Sequence, residues 1–224
     1  MPYTMVHLIV ADSFAKKHNV IDKHEKLFLG AISPDAVHTK KNYNSEYKAR
    51  SHFCKAEDTW GKIRDCNAWL DNVYKMSLRY KEKVNNDFFI GYLIHIITDI
   101  YYDIYVTQQY REKYLNFKLC AKDYKTLDLK QLNNDIALFN AYPRSRFLYK
   151  CLEKCEIENF LELVSKEDVK LYKNIVIRRY QEQSFATVYN EEKYIHITNE
   201  MNINFMKEHM MEIFKKAKEI IGYS

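Results

Sequence analysis

Apolar residues recur at steps of three and four along most of this chain, which is the period of an amphipathic helix. Between Ala56 and Lys81 this spacing predicts one long helix. A second apolar run begins after Asn85-Asn86 and predicts a helix that continues to about Tyr110. Apolar spacing, caps and a proline predict the later helices over residues 127–141, 145–155, 165–180 and 191–221.

Shorter helices are predicted near the N-terminus. Thr4 is placed to cap a first helix, which turns His7 toward the core together with apolar neighbours. Asp22 followed three residues later by Glu25 matches a capping box and marks the start of a second helix.

Pro34 ends this second helix near Ser33, because proline disfavours helical geometry in the residue before it. We therefore expect Asp35 to lie on a turn. The stretch from Thr39 to Ser51 is polar and aperiodic, which predicts a long loop that leads to His52.

The chain shows no strand-rich block, internal repeat or low-complexity linker. Its 224 residues include 47% hydrophobic residues but only 4 glycines and 3 prolines, which is typical of a globular protein with a sizeable core. The predicted fold class is all-α: a single-domain bundle of about seven to nine helices over residues 1–224.

Charge and cysteine content narrow the classes of function and location. A net charge of +5 mildly favours anionic ligands but lacks the concentrated basic stripe of a duplex-binding protein, so no stable nucleic-acid complex is predicted. Five cysteines form no CxxC pair and are expected to be reduced. The chain has no transmembrane run, and its apolar segment Val6–Val10 is too short for a leader, so a cytoplasmic location is expected.

The run from Gly91 to Asp99 carries the most informative polar residues. His95 and Asp99 lie four residues apart among isoleucines and leucines, so both side chains should leave one face of a buried helix. Burying an imidazole and a carboxylate costs several kcal/mol unless each finds a partner, as a rough estimate. A bound metal or a hydrogen-bonded pairing is therefore needed.

Other donors elsewhere in the chain can complete such a site. Each inward histidine alone is more often hydrogen-bonded to backbone than bound to a metal. Taken together, the candidates combine imidazoles with carboxylates and come from several predicted helices and turns, which suits a divalent metal with open positions. The predicted metal site consists of His7, Asp35, His52, His95 and Asp99.

Four segments in a fixed order resemble the zinc-dependent phospholipase C family, in particular its small, unsecreted bacterial members. The resemblance covers about the first 110 residues. The segments are Met5-Val6-His7-Leu8, Gly30-Ala31-Ile32-Ser33-Pro34-Asp35-Ala36-Val37-His38, Ser51-His52-Phe53 and Gly91-Tyr92-Leu93-Ile94-His95-Ile96-Ile97-Thr98-Asp99.

The resemblance implies a helical phospholipase C/nuclease-like fold and one or two zinc ions. Asp99 would belong to the principal site and also bridge to a second ion held by His7. Secreted relatives complete that second site with a mature N-terminal amine, which we do not expect here. The principal site would consist of Asp35, His52, His95 and Asp99.

Further residues are candidates for supporting roles. A third zinc would need a histidine shortly after Asp99, and the sequence has none there. His196 and Glu200 repeat the family's later His-x-x-x-Glu spacing, but far along the chain. Asp103 is a candidate to orient a ligand, and His38 is a candidate proton donor, a supporting group or a plain loop residue.

The implied activity is metal-assisted hydrolysis of a phosphoric ester, in which zinc activates a bound water and Asp35 shares its proton. The substrate would be a phosphate-ester small molecule, a lipid headgroup or a nucleotide. A nuclease remains an alternative, as does a non-enzymatic protein with a structural metal or a hydrogen-bonded cluster. Phosphohydrolases built on an adjacent His-Asp pair are disfavoured, because the chain has no such dipeptide.

Overall fold

Nine α-helices make up the part of the chain that the structure describes. This computed structural model describes residues 2–19, 21–55, 65–80, 82, 86–110, 121–157, 164–184 and 197–222. In chain order the helices are α1 Thr4–Lys17, α2 His24–Ile32, α3 Ser45–His52, α4 Cys66–Tyr80, α5 Asn86–Tyr102, α6 Ala121–Ala141, α7 Ser145–Lys154, α8 Lys166–Glu182 and α9 Asn199–Ile221. No strand occurs in these ranges, so the predicted all-α class is confirmed.

Two irregular helical segments interrupt the regular ones. A 3-10 helix, Ser33–Thr39, follows α2 directly, and a π-helix, Asp103–Thr107, continues α5. The helix break predicted at Pro34 is therefore confirmed, but Asp35 lies in the first turn of the 3-10 helix rather than on an isolated turn.

The predicted loop from Thr39 to Ser51 is wrong over its second half, where α3 forms. The Asn44 side chain caps this helix by accepting a hydrogen bond from the Tyr47 N–H (3.1 Å). Phe53 ends it in the left-handed conformation with φ 59°. Since α3 is short and mostly polar, it lacks the apolar period that identifies longer helices.

Three predicted helix starts also need correction. Thr4 is the first residue of α1 and not its cap, and α2 begins without a side-chain cap, so the box of Asp22 and Glu25 is not formed. The last helix begins at Asn199, because the Thr198 hydroxyl caps it. Residues 185–196 lie outside the described part, as do 56–64 of the predicted 56–81 helix.

Helix α5 is the centre of the core. Every side chain from Asp87 to Ile100 is buried, which is the expected state of a helix that is apolar on all sides. Its most extensive contact is with α2. Because α5 is enclosed by its neighbours, any polar side chain on it must be satisfied from inside the protein.

Two glycines allow α2 and α5 to lie unusually close together. A Cβ atom on Gly91 would stand 2.0 Å from the Leu27 carbonyl oxygen, and one on Gly30 would stand 2.0 Å from the Phe88 carbonyl oxygen. Both obstacles are backbone atoms, which cannot rotate away. This close approach brings the carbonyl of Ala31 within reach of His95.

A buried carboxylate from α6 anchors the start of α1. Asp135 accepts hydrogen bonds from the Met5 N–H (2.6 Å) and from the Tyr180 hydroxyl (3.0 Å), and it pairs with Arg179 at 3.1 Å. The first turn of α1, whose N–H groups have no partner within the helix, is thereby tied to α6. This anchor fixes the position of His7, which lies two residues beyond Met5.

A second buried carboxylate, Asp12, has a full set of partners. Its oxygens accept from Arg144 at 2.9 Å and from the Tyr142 hydroxyl at 2.6 Å, and Lys16 lies at 2.8 Å. At Asp12, ion pairs and a hydrogen bond from protein side chains compensate the buried charge. Its surroundings differ sharply from those of Asp99.

The cysteines and the helix lengths bear on two further predictions. Cys54, Cys66, Cys151 and Cys155 form no disulfide, in agreement with the predicted reduced state, whereas Cys120 lies outside the described residues. Among the helices of the described residues, none combines the length and apolar character that crossing a bilayer requires.

Candidate metal centre

Five polar side chains from four segments lie close together, two of them on α5. We call them the His/Asp ring. Four of them are no more than about 1% exposed, and the fifth, Asp35, is 17% exposed. Helix α1 contributes His7, the 3-10 helix Asp35, the end of α3 His52, and α5 both His95 and Asp99.

The Asp99 carboxylate lies between the three imidazoles. Its Oδ2 is 3.4 Å from the Nε2 of His52 and 3.5 Å from the Nε2 of His95, while its Oδ1 is 3.4 Å from the Nε2 of His7. The two carboxylate oxygens thus face different imidazoles. The Oδ1 of Asp35 completes the ring at 3.4 Å from the Nε2 of His52.

Backbone acceptors fix the orientation of two imidazoles. The Nδ1–H of His95 donates to the Ala31 carbonyl at 2.7 Å. The Nδ1–H of His52 donates to the Ser51 hydroxyl at 2.8 Å and faces the Lys48 carbonyl at 3.2 Å. Since a carbonyl can only accept, both rings carry a proton on Nδ1 and direct Nε2 into the ring, as metal-bound histidines usually do.

The end of α3 is held in place by two aromatic donors. The Trp69 indole donates to the His52 carbonyl at 2.6 Å, and the Tyr92 hydroxyl donates to the Ser51 carbonyl at 2.7 Å. These bonds satisfy carbonyls that the last turn of a helix leaves without partners. They place His52 firmly against α5.

The inner atoms of the ring lack hydrogen-bond partners within the described residues. They are the Nδ1 and Nε2 of His7, the Nε2 of His52 and His95, and both oxygens of Asp99. Buried polar atoms are nearly always paired, so a cluster of six is exceptional. With neutral imidazoles, the inward lone pairs of His52 and His95 face a carboxylate that also only accepts, an arrangement that a cation between them would satisfy.

The spacing of these atoms fits a metal ion. Two ligands at about 2.0 to 2.2 Å from one tetrahedral ion lie about 3.3 to 3.6 Å apart. The measured separations of 3.4 and 3.5 Å fall in that range, and they are longer than a normal hydrogen bond. Ligand atoms of His52, His95 and Asp99 lie within 4.8 Å of one another, as do those of His7, Asp35 and His95.

His7 is held by ring stacking rather than by a polar partner. Its imidazole lies parallel to that of His95, with ring centroids 3.7 Å apart and an interplanar angle of 12°. Two positively charged rings would repel each other at this distance. The stacked geometry therefore disfavours a positive charge on both rings at once, and a neutral imidazole is the form that binds a metal.

The pKa values follow from burial and from the ring's own charges. Burial lowers the pKa of His7 to about 3, with the neighbouring His95 adding to the effect. Burial likewise lowers the pKa of His52 to about 4. For His95, burial is outweighed by the Asp99 carboxylate, which raises the pKa.

The carboxyl groups of the ring stay ionised. Burial alone would raise the pKa of Asp99, but the surrounding imidazoles, above all His95, lower it. At Asp35, burial is outweighed mainly by the Lys48 charge, which holds the pKa well below its usual value. Two carboxylates and the neutral imidazoles of His7 and His52 are therefore available together near neutral pH.

The lowered pKa values predict how metal-free protein responds to acid. His7 and His52 take up protons more readily in the unfolded chain, whose histidines titrate near 6.5, so both stabilise the fold above that pH and lose this contribution below it. Between about pH 6.5 and 5, each should lower the free energy of unfolding by up to about 1.4 kcal/mol per pH unit. His95 acts in the opposite direction and offsets part of the loss.

Urea unfolding of chelator-treated protein across this pH range measures the effect. The variant His7→Gln should show a shallower decline than the parent, because it lacks one of the two titrating groups. A free energy of unfolding that is constant from pH 6.5 to 5 would contradict the buried, neutral state of these imidazoles.

The ring opens to solvent on the side of Asp35. His38 is 38% exposed there, with its Nε2 at 3.5 Å from the Oδ1 of Asp35 and its ring beside Tyr43. Lys48 is 13% exposed, and its Nζ lies 3.7 Å from the same oxygen and 3.1 Å from the Nε2 of His38. The sequence analysis missed Lys48, although its spacing of four residues from His52 would have placed both on one face had α3 been predicted.

The remaining candidates lie outside the ring or beyond the described residues. Asp103 is buried at the start of the π-helix and accepts a hydrogen bond from the Gln108 amide at 3.0 Å. Glu200 is exposed in the first turn of α9 and does not belong to either group of close donor atoms. His196 lies outside the described part of the chain.

Comparison with known proteins gives no further guide to the site: no protein-family model, no curated protein and no solved structure matches this chain. The resemblance to zinc-dependent phospholipases C therefore stays a prediction. The geometry of the ring is the basis for the function proposed below.

Proposed function

We propose that the His/Asp ring binds one or two divalent metal ions and that the protein is a metal-dependent phosphoric ester hydrolase. The observation that carries the proposal is the set of buried, unpaired nitrogen and oxygen atoms spaced 3.4 to 3.5 Å apart. Such atoms are costly to bury unless a cation joins them.

The donor set favours zinc. Neutral imidazoles and carboxylates suit Zn²⁺, and no sulfur ligand is needed. Asp99 turns one oxygen toward His52 and His95 and the other toward His7, an arrangement that supports a carboxylate bridge between two ions. A single ion shared by fewer donors is the simpler stoichiometry.

The exposure of the ring favours catalysis over a purely structural metal. Structural zinc sites are closed and rich in cysteine, whereas catalytic sites keep a position for water or substrate. Here the side of Asp35 is open, and His38 and Lys48 stand at the opening. A substrate that approaches from this side passes these polar groups.

Phosphoric ester hydrolysis matches this opening. A bound divalent ion supplies Lewis acidity toward a phosphoryl oxygen and lowers the pKa of water. Asp35 Oδ1 is the carboxylate oxygen nearest the opening, so we assign it the proton of the attacking water. The substrate class is a small phosphate ester, a lipid headgroup or a nucleotide. The lack of a disulfide among the described cysteines favours a reducing compartment such as the cytoplasm.

Metal content and hydrolysis together test the proposal. Protein prepared without metal should take up about one to two equivalents of zinc, measured by mass spectrometry after dialysis. The loaded protein should hydrolyse bis(p-nitrophenyl) phosphate or p-nitrophenyl phosphate, and chelation should stop the reaction. If no zinc binds, the proposal fails. Zinc uptake with no hydrolysis of either ester would instead indicate a structural metal.

A further inference from the structure

Tyr172 lies on the face of α8 that contacts the 3-10 helix and the start of α1. Asp168, one turn before it, pairs at 2.6 Å with Lys40, which ends the 3-10 helix. Arg179, two turns after it, donates to the hydroxyl of Thr4, the first residue of α1, at 3.2 Å. Residues four and seven apart share one helix face. Tyr172 therefore lies between two of the segments that supply side chains to the His/Asp ring.

The Tyr172 hydroxyl reaches the first turn of α1, one turn before His7. It lies 3.4 Å from the Thr4 Oγ1, a long contact for two hydroxyl groups, and Thr4 is its only hydrogen-bond partner among the described residues. Burial raises the pKa of Tyr172, and the Asp35 carboxylate raises it further. The hydroxyl therefore keeps its proton near neutral pH, and it lies within the field of a ring carboxylate.

Arg179 sets the direction of the hydroxyl protons. It pairs with Asp135 at 3.1 Å and, as a guanidinium, can only donate, so the Thr4 oxygen accepts its hydrogen bond. The Thr4 proton is then available to the Tyr172 oxygen, which leaves the Tyr172 proton for a third group. A positive charge at the beginning of such a chain strengthens the donor at its end.

Tyr180, two turns along the same helix, shows what a purely structural hydroxyl looks like. It donates to the buried Asp135 carboxylate at 3.0 Å, so its proton is already used. Among the described residues, no carboxylate accepts from Tyr172 in this way, and the Tyr172 side chain is only half-buried. A ligand at the ring can therefore accept the Tyr172 proton without displacing a strong hydrogen bond.

We propose that the Tyr172 hydroxyl donates a hydrogen bond to a phosphoryl oxygen of the ester bound at the His/Asp ring, and that Thr4 positions the hydroxyl for this bond. This inference rests on the proposed function. As water attacks, negative charge builds up on the phosphoryl oxygens, and a fixed donor beside them stabilises that charge. Tyr172 keeps its proton throughout, so its contribution is electrostatic and Asp35 retains the role of proton acceptor.

Inorganic phosphate tests the donor without turnover. Its dissociation constant is measured by calorimetry on zinc-loaded parent, Tyr172→Phe, Thr4→Val and Tyr142→Phe. Because Tyr172→Phe removes only the hydroxyl, phosphate should bind about tenfold to a hundredfold more weakly, as expected for the loss of one hydrogen bond to a charged group. Tyr142→Phe is the matched control: it removes a hydroxyl bonded to Asp12 and should match the parent.

Thr4→Val tests the positioning role. It should weaken phosphate binding by about threefold to tenfold, and the double variant Thr4→Val/Tyr172→Phe should bind no more weakly than Tyr172→Phe alone, because Thr4 acts through that hydroxyl. The kcat/KM for bis(p-nitrophenyl) phosphate should follow the same order. Additive losses in the double variant would overturn the positioning role of Thr4.

The zinc content and melting temperature of each variant are measured alongside. If Tyr172→Phe binds phosphate as tightly as the parent, or if the zinc-loaded parent binds no phosphate, the inference is overturned, while zinc uptake and ester hydrolysis still decide the hydrolase proposal. It is equally overturned if Tyr172→Phe loses zinc in step with phosphate, since Tyr172 would then support the metal. If Tyr172→Phe does not fold, unchanged phosphate affinity in Thr4→Val overturns it. If the parent protein binds no zinc, both proposals fail together.

Discussion

Asp99→Asn should abolish zinc uptake while leaving the metal-free protein at least as stable as its parent at a pH above the raised pKa of His95. The substitution keeps the shape of the side chain but replaces one acceptor oxygen with an amide donor, which can bond to an inward Nε2 of His52 or His95. Zinc affinity should fall by more than about a hundredfold, and hydrolysis by about a thousandfold, as expected when a ligand to a catalytic ion is lost.

The stability of the metal-free variant distinguishes a metal site from an ordinary hydrogen-bonded cluster. Above the raised pKa of His95, where the imidazoles are neutral, removing the Asp99 charge should raise the free energy of unfolding by about 1 to 3 kcal/mol. Urea unfolding with chelator present measures this change. Zinc should then raise the melting temperature of the parent but not of the variant.

Asp12→Asn is the matched control, because Asp12 is also a fully buried carboxylate but is paired with Arg144, Lys16 and Tyr142. This variant should lose about 3 kcal/mol of stability and keep its zinc affinity. An Asp99→Asn protein that was destabilised like Asp12→Asn and still bound zinc would show that the ring is an ordinary hydrogen-bonded cluster.

Gly91→Ala should destabilise the protein strongly, although alanine favours helices. The new methyl group would meet the Leu27 carbonyl oxygen at 2.0 Å, so α2 and α5 must move apart. We expect a net loss of about 2 to 4 kcal/mol, since the overpacking penalty exceeds the gain of about 1 kcal/mol in helix propensity. Urea unfolding of metal-free protein measures the loss.

The same substitution should weaken zinc binding, because separating the helices lengthens the hydrogen bond from His95 to the Ala31 carbonyl. Gly222→Ala serves as the comparison: it strains a left-handed cap at φ 80° at the end of α9, away from the ring. It should cost about 1 kcal/mol and leave zinc affinity unchanged. Parent-like stability and affinity in Gly91→Ala would disprove the close helix contact.

Long, regular helices were accessible from the sequence, and short polar ones were not. The apolar run of α5 predicted a buried helix, and the Ser165 side chain caps α8 as expected by accepting from the Asp168 N–H. Helix α3 escaped prediction because its eight residues are mostly polar, and its limits depend on the Asn44 cap and the left-handed Phe53. Because α3 was not predicted, the position of Lys48 beside the ring was not predicted either.

The candidate site, like the fold, was predicted only in part from the sequence. The spacing of His95 and Asp99 predicted that both face one side of a helix, and they do, at 3.5 Å. That His7 and His52 meet them depends on how four segments pack, which periodicity does not specify; only the order of the motifs suggested it. The carbonyl partners of the imidazoles could not be predicted either, because every residue has a carbonyl and only the tertiary structure selects one.

The choice of main-chain acceptors affects how the site can evolve. Because Ala31 contributes its carbonyl to His95, no change of side chain at that position deletes the acceptor itself. The orientation of the His95 imidazole therefore depends on the distance between α2 and α5. In a saturation mutagenesis screen, intolerance around His95 should therefore extend to the small residues that set this distance, Gly30 and Gly91. Substitutions at the opening beside Asp35 can thus change which ligands bind. The positions of the buried imidazoles and of Asp99 are not altered by such changes.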